Sequence, residues 1–352
     1  GEGGHRGVQS IFPPTMNTLQ GAVRTALAAA TGWSPDKGQL PLELGTPDDP
    51  GQLSFRGPYL LFNEGPYYQM PYHLLVKRES GPGAAKKFTF LAPGDAVDCD
   101  LDEKIRLPQP VEKLDGAESV EGIYVSRLVY NGLLAGKLPS EEQIKDRQVR
   151  EKADFWKEEM RIGLQRNDDT RTAEESFLYR VQHVRPEKGV KIRVVVRGVP
   201  AEWPDISRRI LPLGGEGRLA AVEIKNSSEE ELLRLLPDWP VLTQGADRTV
   251  RYTVTLITPG CFADMEQAVR QGPPGIPGRC VSACLVRPQL IGGWDMINRE
   301  PRPLIPYLAP GSTWLFEGTS EDMSVLENLH GICVGEGTVY GYGQIVIGKW
   351  GG

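Results

Sequence analysis

The sequence predicts an α+β fold made of two ferredoxin-like domains, residues 1–204 and 205–352, that carry long glycine- and proline-rich loops and insertions. Three observations predict it. Of the 352 residues, 41 are Gly and 29 are Pro, so about one position in five forms a turn or breaks a helix, which excludes a helical bundle or coiled coil. The hydrophobic fraction of 39% and the charged fraction of 24% are those of a globular protein long enough for about two cores, which excludes wholesale disorder. Finally, the periodicities of the second half run strand, helix, strand, strand, helix, strand, which is the split βαβ order.

Taken in order, residues 17–30 place Leu19, Ala22, Val23, Ala26, Leu27 and Ala30 at helical spacing, with Asn17 and Gln20 read as the N-terminal cap and Gly32 as the stop. Residues 34–51 turn to Pro, Gly and Asp and read as a loop. Strand-like runs follow at 59–62 and 72–76 in an aromatic tract, which at strand spacing suits a core or an interface better than base stacking. Residues 93–116 are polar and proline-punctuated. Their acids Asp95, Asp98, Asp100 and Asp102 lack the glycine and terminal glutamate of a calcium hand and read as a solvated loop.

Residues 140–160 open on a Ser140/Gln143 capping pair and then mix both charge signs with almost no apolar face, so an exposed helix or a mobile insertion is expected. A turn-rich segment leads to alternating runs at 178–184 and 190–196 around Pro186-Glu187-Lys188-Gly189, a hairpin signal. That tract holds Arg180, Arg185, Lys188, Lys191, Arg193 and Arg197 against the single acid Glu187. One polar face is usual in a hairpin, so the arginines alone favour a solvated face over an RNA platform.

Residues 200–204 read as a domain linker. Beyond it come a strand at 218–224, a helix capped by Ser228 with Glu231 and stopped by Pro237, and a strand at 250–257. A short helix near 263–269, strands at 281–286 and 313–316, a helix at 321–329 closed by Gly331 and a last strand at 344–347 complete the order. The N-terminal half reads as a degenerate copy without its first strand. Such a strand is expected from residues beyond the sequence shown or from another chain.

The formal charge of −6 argues against nucleic-acid binding through the global field, so any anionic partner is held locally. No run approaches the roughly 18 apolar residues of a membrane span and no signal peptide is visible, so a cytoplasmic protein without a membrane partner is expected. Cys99, Cys261, Cys280, Cys284 and Cys333 are scattered and odd in number, and read as reduced thiols. Neither they nor His5, His73, His183 and His330 have metal-site spacing, so no metal and no cofactor are expected. The glycine loops fit neither a P-loop nor a dinucleotide fold, and nucleophile-elbow and zinc-protease motifs are missing, so no catalytic residue is assigned. His5 beside Arg6 is the one candidate general acid or base, and equally a phosphate or base contact.

Several ordered segments together resemble the RAMP proteins of CRISPR effectors, and among them the family of third subunits of the type III-B Cmr complex. They are Gly1-Glu-Gly-Gly-His-Arg6, Ile11-Phe-Pro-Pro14, Leu19 to Leu27, Gly57-Pro-Tyr-Leu60 and Tyr67-Tyr-Gln-Met-Pro71. Arg161-Ile-Gly-Leu164 with Thr170-Arg-Thr-Ala-Glu-Glu175, Leu213-Gly-Gly-Glu-Gly-Arg-Leu219, Leu256 to Gly260, Gly292-Gly-Trp-Asp295 and Gly341-Tyr-Gly343 continue the likeness. The resemblance implies two RAMP domains and a non-catalytic role: binding the 5′ tag of the guide RNA beside the large polymerase-like subunit and a backbone RAMP subunit, in antiviral defence. On this resemblance the expected RNA contacts are Gly3, Gly4, His5, Arg6, Arg171, Thr172, Gly214, Gly215, Arg218, Gly341 and Gly343. The glycines serve turns equally well, and Arg171 can instead pair with Glu174 or Glu175. A guide-processing RAMP endoribonuclease and a protein-only assembly adaptor are the alternative functions.

Overall fold

The computed structural model describes residues 10–46, 48–79, 86–96, 106–166, 173–215, 217–295, 298 and 300–351. In chain order the first elements are α1 (Met16–Ala30), β1 (Ser54–Phe62), β2 (Gly65–Gln69), β3 (Leu74–Arg78), β4 (Lys86–Ala96), β5 (Arg106–Pro110) and β6 (Glu118–Ser119). Then come β7 (Ile123–Ser126), α2 (Arg127–Leu134), α3 (Glu141–Lys145), β8 (Val149–Glu151), β9 (Trp156–Arg166), β10 (Ala173–Pro186), β11 (Val190–Arg197), β12 (Ile206–Pro212) and β13 (Leu219–Ile224). The last are α4 (Glu229–Leu233), β14 (Val250–Leu256), α5 (Met265–Gln271), β15 (Arg279–Cys284), β16 (Gln289–Asp295), β17 (Glu300–Tyr307), β18 (Thr313–Gly318), α6 (Met323–Leu329) and β19 (Ile345–Lys349). The ladders between these strands are antiparallel, and the architecture is α+β.

Two sheets organise the molecule. The N-terminal one runs β11-β1-β2-β7-β8, and the C-terminal one runs β15-β18-β14-β19. The C-terminal sheet is assembled in the order strand β14, helix α5, strands β15 and β18, helix α6, strand β19, with the β16–β17 pair inserted before β18. Its central strand β14 shows why the sequence folds there: Val250, Tyr252, Val254 and Leu256 are fully buried on one face, while Thr253 and Thr255 are buried on the other. Each such apolar side chain contributes roughly 1.5–3 kcal/mol of burial. The expected opening strand of that order is placed differently. Residues 219–224 form β13, which among the described residues pairs with β12 alone.

Burial links the two halves across residue 204. One core joins Tyr68, Val125, Tyr130 and Leu133 of the N-terminal part to Val281, Leu315 and Val346 of the C-terminal sheet. A second core, around Tyr252, Trp314, Phe316 and Leu326, lies on the sheet's other face, against α5 and α6. The third gathers Met16, Leu19 and Leu27 of α1 with Phe55, Tyr307 and Tyr342, and with half-buried Val194, Val196 and Ile224.

Several sequence expectations are corrected. The cap of α1 is Thr15, with no side-chain hydrogen bond, while Asn17 lies inside the helix and serves tertiary structure. The Asn17 amide Nδ2 donates to the Gly292 carbonyl at 2.8 Å and its Oδ1 accepts from the Tyr342 hydroxyl at 3.1 Å. The expected hairpin of 178–184 with 190–196 does not form. Instead β10 pairs with β9, with Leu178 opposite Leu164 and Pro186 opposite Trp156, and β11 pairs with β1, with Val190 opposite Phe62. The turn hands the chain from one partner to the other: the Glu187 N–H donates to the Phe155 carbonyl at 2.8 Å, and the Gly189 carbonyl accepts from the Asn63 N–H at 3.1 Å.

The Ser140/Gln143 capping box is present, yet its helix ends at Lys145, and the charged residues beyond it enter β8 and β9. Strands β4 and β5 reach into the stretch read as a polar loop, where Asp95 lies on β4 and Asp98, Asp100 and Asp102 fall outside the described residues. Cys261, Cys280, Cys284 and Cys333 are free thiols, and no described helix is long and apolar enough to cross a membrane.

Candidate nucleic-acid interface

Helix α1 is amphipathic, and its Leu19, Ala22, Val23 and Leu27 form the floor of a groove of about 2240 Å³. Strand β11 forms one wall and β13 the other, with Leu290 and Leu304 of the β16–β17 pair at one border. Seven Lys and Arg line this groove against four Asp and Glu, so a chain of net charge −6 is locally positive here. Lys191 is paired with Glu64, whose carboxyl this hydrogen bond holds below the ordinary carboxylate range, and Arg197 is paired with Glu229 at 2.7 Å. Arg193, Arg208 and Lys225 form no ion pair among the described residues, which leaves three cations for an incoming anion.

The turn between β12 and β13 projects at the rim. It is closed by the Leu213 N–H, which donates to the Arg218 carbonyl at 2.9 Å, and by the Arg218 N–H, which donates to the Gly215 carbonyl at 3.4 Å. Gly214 (φ +75°) and Gly217 (φ +63°) take the left-handed conformation that the turn requires. The exposed N–H groups of Gly214, Gly215 and Gly217 bond to nothing among the described residues. Beside them the Arg218 guanidinium is anchored by Nη2, which donates to the Gln182 carbonyl at 3.3 Å, while its Nε is buried without a partner. Free backbone donors in a tight glycine turn next to an arginine form an anion-binding concavity.

Of the expected contact residues, Gly214, Gly215 and Arg218 are thus brought together on this rim. Gly341 and Gly343 stand apart from it and are buried, and their N–H groups donate to the Thr338 carbonyl at 3.0 Å and the Pro259 carbonyl at 2.7 Å. A Cβ on Gly343 would lie 2.0 Å from the Val334 oxygen, and one on Gly341 would lie 3.0 Å from the Arg56 Cα, so packing accounts for both. Gly3, Gly4, His5, Arg6, Arg171 and Thr172 fall outside the described residues. Sequence reasoning passes over Arg208 and Lys225. The Arg208-Arg209 pair was a visible signal, but only the fold shows that Arg208 borders the same groove as the glycine turn.

The described histidines have distinct settings. His73 is buried against Phe90 with both ring nitrogens unpartnered, and burial lowers its pKa to about 3. His330 accepts from the Ile347 N–H at Nδ1 (3.0 Å), so Nε2 carries the proton and donates to the Pro237 carbonyl at 2.9 Å. His183 lines the groove.

A family model described as CRISPR-associated protein (Cas_Cmr3) matches residues 1–350. The chain belongs to that family. The similar solved structures include a chain of the type III-B Cmr-beta complex bound to cognate target RNA and AMPPnP, state 1. It is 14% identical, covers 93% of this chain and 83% of its own, and superposes with a TM-score of 0.50. A chain of the same complex bound to cognate target RNA is 15% identical, covers 93% of this chain and 82% of its own, and has a TM-score of 0.46. No curated protein matches. The first of these likenesses is one of fold, and it agrees with the α+β architecture of this member of the Cas_Cmr3 family.

Proposed function

We propose that this Cas_Cmr3-family chain is a non-catalytic subunit of a type III-B RNA-guided effector complex in antiviral defence, and that it holds the 5′ tag of the guide RNA at the groove rim. Its neighbours in this reading are the large polymerase-like subunit and a backbone RAMP subunit, in the cytoplasm. Family membership and the Cmr-beta likeness support the assembly. The order of β14, α5, β15, β18, α6 and β19 supports reading the C-terminal part as a ferredoxin-like RAMP domain.

The observation that carries the RNA reading is the exposed turn with Gly214, Gly215 and Gly217, whose N–H groups bond to nothing among the described residues and stand beside Arg218, in a groove that Arg193, Arg208 and Lys225 also line. Backbone donors and a few arginines suit a short single-stranded segment and need only a local positive field, which a chain of charge −6 can supply. His5 and Arg6 are proposed as further contacts, with Arg171 and Thr172. The test compares retention of a tagged guide with one whose 5′ tag is scrambled, in the assembled complex. The tagged guide is expected to be retained preferentially and to lose that preference with Arg218→Ala. Equal retention of both guides by the unmodified complex would sink the proposal.

A further inference from the structure

Helix α1 starts without a side-chain cap of its own. The first turn of a helix leaves backbone N–H groups that no residue of the helix accepts, and the Thr15 side chain at the cap position makes no hydrogen bond to them. An acceptor comes instead from the far end of the chain: the Asn17 N–H donates to the Tyr342 hydroxyl at 3.3 Å, across 325 positions. The Met16 N–H and the Thr15 side chain face the same oxygen. The hydroxyl in turn donates to Asn17 Oδ1 at 3.1 Å, and burial raises its pKa, so it keeps the proton it donates. The tyrosine is firmly held. Its ring is buried, with its centroid 4.8 Å from that of Tyr307. On its two flanks the buried Thr258 hydroxyl donates to the Gly341 carbonyl at 2.8 Å and accepts from the Gln344 N–H at 2.8 Å.

The turn capped in this way carries two attachments of the groove. The Asn17 side chain donates to the Gly292 carbonyl at 2.8 Å, which ties the β16–β17 pair to α1 at the groove border. Thr18 lies against the β12–β13 turn, since a Cβ on Gly214 would stand 3.7 Å from its Cγ2. Thr15 and Thr18 themselves line the groove. We propose that Tyr342 is a positioning residue for the groove: its hydroxyl caps α1 from the C-terminal part of the chain and so fixes the first helical turn, against which the Gly214 turn and β16 are set. This gives Gly341-Tyr342-Gly343 a role without RNA contact. The glycines let the loop close around the ring, and the tyrosine acts on the site through Asn17. Where it concerns guide binding the inference rests on the RNA reading of the rim, whereas the cap does not. A packing role would reside in the ring, and the proposed role resides in one oxygen atom.

The test is residue-resolved amide hydrogen exchange on the full chain with Tyr342→Phe, which keeps the ring and removes only the hydroxyl. The Asn17 and Thr18 amides are expected to exchange about fivefold faster or more, and those of Leu213 and Arg218 in the adjoining turn to follow, while the β14 and β18 amides keep their protection. Adding Thr15→Asn, a neutral side-chain acceptor at the cap position, is expected to restore the α1 amides. Unchanged exchange in the first turn would overturn the proposal. So would a loss of protection spread evenly over the C-terminal sheet, which would assign the tyrosine to packing. Should Tyr342→Phe fail to fold, Asn17→Ala removes the partner of the hydroxyl and is judged by the same Thr18, Leu213 and Arg218 amides. In the assembled complex, Tyr342→Phe is expected to lose most of the preference for a tagged over a scrambled guide, and Thr15→Asn to restore it. A full preference in Tyr342→Phe would overturn the positioning role and leave the RNA reading standing. Equal retention of both guides by the unmodified complex would instead sink the RNA reading, with the cap decided by exchange.

Discussion

A methyl group on Gly343 would sit 2.0 Å from the Val334 carbonyl oxygen in a residue held at φ +70°, whereas one on Gly215 would meet nothing within 4 Å at an ordinary φ. The two glycines are therefore separable by substitution. Gly343→Ala is expected to cost about 3 kcal/mol or more in denaturant unfolding, and Gly215→Ala no more than about 0.5 kcal/mol. A loss of guide retention in Gly215→Ala would then report contact rather than damaged folding. The buried histidines set a second expectation. The folded-state pKa of His73, about 3, lies below the roughly 6.5 of an unfolded histidine, and that of His330 is also lowered by burial. The unfolded chain thus binds more protons, and their stabilisation is complete above about pH 6.5 and is lost as pH falls towards the folded values. The His73 contribution alone is expected to fall by about 2 kcal/mol between pH 7 and pH 5. Urea titrations of the parent and of His73→Leu check this, the variant showing the shallower pH dependence.

At the scale of elements, the capping box of α3 is a local device. The Gln143 N–H donates to the Ser140 hydroxyl at 3.2 Å, the Gln143 side chain accepts from the Ser140 N–H at 3.0 Å, and the helix buries no residue. Ser140→Ala is expected to speed hydrogen exchange of the 141–145 amides by about fivefold, equivalent to about 1 kcal/mol, while leaving the melting temperature unchanged. This box and the stripe of α1 were legible in the sequence because both are set by residues three or four apart. The partners of β10 and β11 were not, because Pro186-Glu187-Lys188-Gly189 encodes a reversal but not the strand that the chain joins afterwards. Strand β9 was hidden by its charges, since among the described residues it pairs on one side only and its Lys157, Glu158, Glu159 and Arg161 make surface ion pairs. Strand β17 was hidden by Pro301, Pro303 and Pro306, which a two-stranded ladder with open edges tolerates.

For the molecule as a whole, the C-terminal sheet is buried on both faces, one of them by N-terminal residues. The β12–β13 pair lies beyond residue 204 yet packs on α1, and this brings Gly214, Gly215 and Arg218 to the groove built by the N-terminal half. No sequence spacing announces that juxtaposition, because the groove depends on strands some 20 residues or more apart closing over one helix. The charge of −6 remains compatible with RNA binding because seven Lys and Arg against four Asp and Glu line this one groove. The most direct test places a photoreactive group on the first nucleotides of the guide in the assembled complex and maps the crosslinked peptides. The account predicts crosslinks in residues 213–218, lost with Arg218→Glu. Crosslinks from the tag that fall entirely on other subunits would contradict it.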